Sequence, residues 1–154
     1  MRRVVAVIGG TEIEAEVDAA AERVGALLAK EDAIVVTGGR GGVAEAASRG
    51  ASLNGGTTVG ILPGRERSEA NPWVEIAIPT GMGETRNALV VMDADAVIAF
   101  PGAYGTLIEL GFALHNGLRV VIVGDWPLAV GATVQHATSP EEAVEFALAS
   151  TSTR

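Results

Sequence analysis

Cysteine is missing altogether from the 154 residues of this chain. That excludes disulfides, thiolate metal ligands and a cysteine nucleophile. Lysine is nearly missing as well, with Lys30 standing alone. Two histidines, His115 and His136, are too few for a histidine-rich zinc site, and no motif calls for a metal or a cofactor. Long apolar runs are also lacking. The chain is 48% apolar with a mean hydropathy of +0.33, yet no run approaches the ~18 to 20 residues of a membrane-spanning helix. The opening Arg2-Arg3 followed by apolar residues could pass for a signal peptide, but the apolar part is short and acidic residues follow at once, so a first strand is expected. Positive charge is scarce: eleven Lys and Arg against nineteen Asp and Glu give a net charge of −8. Such a surface repels polyanions, so neither nucleic acid nor membrane is an expected partner. The lack of cysteine is compatible with the cytoplasm, which is the expected location.

What is present is a regular alternation. Short apolar strands are expected at 3–8, 33–37, 58–62, 73–78, 96–100 and 120–123, with a short edge strand at 132–135. Helical spacing is read over 14–30, 43–53, 84–92, 107–115 and 140–149. Strands alternating with helices imply right-handed crossovers around a mostly parallel sheet. The expected fold is therefore α/β, a Rossmann-like three-layer sandwich with six to seven strands. One domain over residues 1–150 is expected, with a frayed tail at 151–154 and a polar, proline-bounded loop at 63–72. In such folds ligands lie beyond the carboxyl ends of the strands. The glycine-rich turns gather on that edge: Gly9 to Thr11, Thr37 to Gly42, and Pro101 to Thr106.

The chain is organised around residues 96–118. In that stretch Glu109 is the only formally charged side chain, and it interrupts an apolar run. A strand, a tight Pro101-Gly102 turn and a helix closed by Asn116-Gly117 bring Thr106 and Glu109 together three residues apart. A hydroxyl, unpaired N–H groups and a carboxylate at a positively polarised helix end suit phosphate or another anion. The same residues also match a capping box, as do Thr11 with Glu14 and Ser139 with Glu142. Both readings stay open on the pattern alone. The helix itself reads as buried nearly all round.

Four glycines among Gly38 to Gly42 exceed what a turn needs and favour close backbone approach to a ligand. Gly39, Gly41 and Ala44 satisfy the dinucleotide spacing, but no acidic residue ends the next strand where a ribose contact belongs, and the Gly-Lys-Ser/Thr of a Walker A loop is missing. Arg86 can grip a phosphate or carboxylate with its planar fork, pair with Glu109, or stand exposed at a helix end. Arg40, Arg65 and Arg67 are weaker candidates. His115 suits a helix end, and Asp93 and Asp95 suit turns and caps.

Met82 to Asn87, taken with Pro101 to Glu109, resembles the paired motifs of the LOG ("lonely guy") family, often mislabelled lysine decarboxylase. Thr37 to Val43 and Val59 to Pro63 resemble that family's first glycine-rich loop and following strand, so the likeness runs over roughly residues 3 to 124. It implies a Rossmann-like nucleotide-binding domain, dimeric or tetrameric, that hydrolyses the N-glycosidic bond of a nucleoside 5′-monophosphate to free base and ribose 5-phosphate. Carried over by position, Gly102, Gly105 and Thr106 cradle the phosphate, Gly39, Gly41 and Gly42 line the nucleotide, and Arg86 and Glu109 form the catalytic pair. Lysine decarboxylation finds no support, because Lys30 on the first helix sits in no motif for pyridoxal phosphate. Two positions depart from the pattern: Asn87 stands where active members commonly have lysine, and Ala103 replaces the second glycine of the turn. The short chain is similar to a branch that includes molybdenum-cofactor carrier proteins. Carriage of a phosphorylated, nucleotide-like ligand without turnover is the alternative function.

Overall fold

The computed structural model of the chain describes residues 1–126 and 134–150. Seven parallel strands form one sheet: β1 (Val4–Ile8), β2 (Ile34–Thr37), β3 (Thr58–Leu62), β4 (Ile76–Pro79), β5 (Ala96–Ala99), β6 (Arg119–Val123) and β7 (Val134–Ala137). Their spatial order is β4-β3-β2-β1-β5-β6-β7. The chain winds outward from β1 in one direction, then returns to place β5 on the other side of β1. That reversal opens a crevice at the carboxyl ends of β1 and β5.

Among the described residues, five helices cover the sheet: α1 (Ala15–Lys30), α2 (Val43–Leu53), α3 (Asn87–Met92), α4 (Tyr104–His115) and α5 (Pro140–Leu148). Alternate residues of each strand point to opposite faces. Val5, Val7, Val35, Ile98, Phe100 and Val121 pack under α1, α2 and α5. Ala6, Ile8, Val97, Ala99, Val120 and Ile122 pack under α3 and α4. Strands buried on both faces are why the sequence shows continuous Val- and Ile-rich runs rather than alternation. Each fully buried Val, Leu or Ile contributes about 1.5 to 3 kcal/mol of transfer free energy.

Most expected boundaries fall within one or two residues of those observed. β4 is an exception. It starts three residues later than the Trp73 expected, because Thr58 ties the chain back: its hydroxyl donates to the Trp73 carbonyl and accepts from the Glu75 N–H. The helix expected over 84–92 is two pieces, a 3-10 turn at Gly83–Arg86 followed by α3. Of the edge strand expected at 132–135, residues 134 and 135 belong to β7, while 132 and 133 lie outside the described residues, as do Pro127 and the tail at 151–154.

The capping-box reading of Thr106 and Glu109 is overturned. α4 begins at Tyr104, two residues before Thr106, so Thr106 is its third residue and Glu109 lies in the second turn. Thr11 and Glu14 form no box either, since the residue flanking α1 is Glu14, with no side-chain cap. Ser139 does cap α5, accepting from the Glu142 N–H, while Glu142 reaches back to the N–H and hydroxyl of Thr138. α4 closes as expected: Gly117, at φ +69°, lets its N–H reach Leu114 O and the Leu118 N–H reach Ala113 O. It is not buried all round, however, because Tyr104, Leu107, Ile108 and Phe112 are exposed.

Candidate functional site

Three turns meet at the carboxyl ends of β1, β2 and β5. The Gly10 N–H donates to Pro101 O, and the Val43 N–H donates to Gly10 O, so the turns after β1, β2 and β5 are tied together. Two glycines make this closeness possible. A Cβ on Gly42, whose φ is +68°, would stand 2.2 Å from Gly10 O, and one on Gly102 would stand 2.1 Å from Thr106 Oγ1. Between the joined turns and the start of α4 lies a cleft of about 250 Å³. Its wall includes Gly10, Gly41, Arg86, Asn87, Gly105, Thr106 and Glu109.

Of the residues expected at the site, Arg86, Glu109, Gly105, Thr106 and Gly41 meet in this cleft. Gly39, Gly42 and Gly102 do not line it. Gly39 turns against β3, where a Cβ would be 2.7 Å from Leu62, and Gly42 and Gly102 serve the packing of turn on turn. Arg40 reaches the rim, whereas Arg65 and Arg67 stay on the exposed loop. Three contributors carry weak signals in the sequence: the Gly9 to Thr11 turn, Glu84 and Asn87. A glycine turn after the first strand marks the first of these. Glu84 and Asn87 are ordinary polar residues that reach the cleft through the 3-10 turn, which leaves Glu84 exposed and is followed by a buried Asn87.

The start of α4 is unusually bare. Ala103 flanks it with no side-chain cap, and the Leu107 N–H to Ala103 O bond begins the ladder. The N–H groups of Tyr104, Gly105 and Thr106 therefore have no partner within the helix. Thr106 is buried beside them. Arg86 is only 8% exposed. Its Nη2 makes a long 3.5 Å bond to Gly38 O, its Nε has no partner, and among the described residues no carboxylate lies within 4.0 Å of it. The ion pair with Glu109, one of the alternatives the sequence left open, is thus not formed at contact distance.

Glu109, also 8% exposed, faces the same cleft. Burial pushes its carboxyl up to about 7; the Arg86 guanidinium pulls the other way and the Glu84 carboxylate adds to the rise. A buried cation without a counter-ion and unpaired N–H groups, beside a carboxyl near neutrality, are groups that can receive an anion.

A family model described as the SLOG cluster4 family matches residues 2–152. The chain belongs to the SLOG cluster4 family. The LOG-like resemblance of its two motifs is thereby accounted for. An uncharacterized protein of Archaeoglobus fulgidus is 39% identical over 146 residues, 95% of each chain. Among solved structures, the molybdenum cofactor binding protein from the phototrophic bacterium Rippkaea orientalis is similar at 34% identity and a TM-score of 0.87, covering 94% of both chains. The molybdenum cofactor carrier protein of Chlamydomonas reinhardtii is similar at 29% identity and a TM-score of 0.83, again over 94% of both. This SLOG chain shares their Rossmann-like architecture throughout. Among the described residues, no helix is long and apolar enough to cross a membrane.

Proposed function

We propose that the cleft binds a phosphorylated, nucleotide-like ligand of the molybdenum-cofactor type and carries it without breaking it. The observation that carries this is Arg86, a buried guanidinium with an unpartnered Nε beside the uncapped start of α4. A buried cation left unpaired is costly, and an arriving phosphate ester removes that cost. The cleft volume of about 250 Å³ suits the phosphate and an adjoining ring, leaving the rest of the ligand toward the mouth near Arg40. Carriage is favoured over hydrolysis because the cationic donor of active LOG enzymes is replaced by the neutral Asn87. Likeness to two solved molybdenum cofactor proteins over 94% of the chain supports the same choice.

One feature favours hydrolysis as a second reading. A carboxyl at about 7 is well matched to proton transfer at neutral pH, and beside a sugar it can assist departure of a base. One experiment separates the two. The purified protein is mixed with molybdenum cofactor freshly released from a molybdoenzyme, desalted and assayed for retained molybdenum and pterin; in parallel it is incubated with nucleoside 5′-monophosphates and assayed for free base. Retention without base release is expected. Base release from any monophosphate would replace carriage by hydrolysis, and failure to retain molybdenum or pterin would remove the carrier.

A further inference from the structure

Asn87 is 1% exposed and occupies the cleft wall between Arg86 and the first turn of α4. Its Nδ2 lies 3.5 Å from a Glu84 carboxylate oxygen and 3.4 Å from where a Cβ on Gly105 would stand. Glu84, Asn87 and Gly105 all line the cleft. The other edge of the amide, Oδ1, is buried without a partner. Turning the amide over would set Oδ1 against the Glu84 carboxylate, so the donor edge is the one held toward α4. A leucine of nearly the same shape would avoid the unpaired oxygen and its cost to the fold. The amide nevertheless stands there, beside unpaired helix N–H groups and a buried guanidinium that also lacks a partner at Nε.

We infer that Asn87 is a ligand-binding residue whose Nδ2 donates a hydrogen bond to the phosphate ester received by the start of α4. The inference rests on the proposed binding of a phosphorylated ligand and deepens it. Lysine at this place would add a charge-assisted bond, and asparagine supplies a neutral one. A neutral donor holds a phosphate less tightly and is little weakened by salt, which suits a protein that must give its ligand up.

The test uses the full chain and three probes: 6-hydroxymethylpterin phosphate, the same pterin after phosphatase treatment, and inorganic phosphate. Wild type, Asn87→Asp and Asn87→Lys are compared by fluorescence titration, with thermal unfolding of each free protein as the control for folding. Wild type is expected to prefer the phosphate ester. Asn87→Asp, the same shape with the donor edge removed, weakens the ester by about tenfold or more and leaves the dephosphorylated pterin unchanged. Asn87→Lys tightens the ester by about tenfold at low salt, and the gain shrinks as salt is added. A loss in Asn87→Asp that is equal for both pterins, or no loss for either, overturns the inference, as does an Asn87→Lys variant with no gain. Equal binding of the two pterins by wild type overturns it while leaving pterin carriage standing. If wild type binds neither pterin but inorganic phosphate raises its Tm and not that of Asn87→Asp, the inference stands and carriage falls. If phosphate also has no effect, both fall.

Discussion

Replacing Glu109 by glutamine isolates the electrostatic cost of keeping a carboxyl in this cleft. Burial lifts its pKa from an ordinary 4.5 to about 7. Each tenfold change in proton affinity is worth about 1.36 kcal/mol, so the ionised side chain is disfavoured in the fold by about 3.4 kcal/mol relative to the neutral one. The sign follows from proton binding. Between pH 4.5 and 7 the folded protein keeps a proton that the unfolded chain has released, so the stabilisation is complete below 4.5 and is lost as pH rises through 7. Glutamine has the shape of the neutral acid and no titration. Urea unfolding of wild type and Glu109→Gln across pH 4.5 to 8 is therefore expected to give curves that separate by about 3 kcal/mol, with glutamine the more stable at high pH. Titrating groups that do not interact with Glu109 cancel in the difference. Curves that stay parallel would refute the reasoning: Glu109 would then ionise as an exposed carboxylate does, through water in the cleft or a contact with Arg86. A bound phosphate sharpens the effect. Its negative charge opposes ionisation of Glu109 further, so ligand affinity is expected to fall as pH rises past 7.

Arg86→Gln is expected to leave the free protein as stable as wild type or up to about 1 kcal/mol more stable, because a buried cation without a counter-ion is removed. Affinity for a phosphorylated ligand should fall by about tenfold to a hundredfold, read by titration and thermal unfolding of the same samples. Gly42→Ala should cost about 2 kcal/mol or more in urea unfolding, since φ is +68° and the new Cβ would press on Gly10 O. Ile76, Ile78, Met82, Leu89, Met92, Tyr104, Leu107, Ile108 and Phe112 are exposed. Ile76 and Ile78 pair in register with Val59 and Ile61, which pack on the face covered by α3 and α4, so the apolar surface lies on one side of the sheet. We expect it to join copies of the chain, with light scattering giving a multiple of 15.7 kDa and Ile108→Glu with Phe112→Glu giving the monomer. A wild type that scatters as a monomer at micromolar concentration would remove that expectation.

The parallel sheet was legible in the sequence because its strands are buried on both faces, and the runs at Val4–Ile8, Ala96–Ala99 and Arg119–Val123 are nearly all apolar as a result. The helix ends were less legible, since they depend on partners distant in sequence. Thr106 with Glu109 has the spacing of a cap, but Tyr104 and Gly105 can continue the helix backward, and the Gly102 backbone already packs against the threonine hydroxyl. The glycines illustrate the same limit. Gly41 and Gly42 are identical neighbours in sequence, yet one lines the cleft and the other fits under Gly10, a difference set by a turn far upstream. Arg86 was legible as a residue type and not as a state. An arginine at a helix start is commonly solvated, and only the fold reveals that this one is buried over Gly38 with no carboxylate in contact among the described residues. That state links stability to function. The guanidinium that weakens the empty protein by lacking a counter-ion is the group an incoming phosphate can pair. Binding should therefore stabilise this chain by more than its direct contacts suggest, because part of the gain is the removal of a cost the empty cleft already bears.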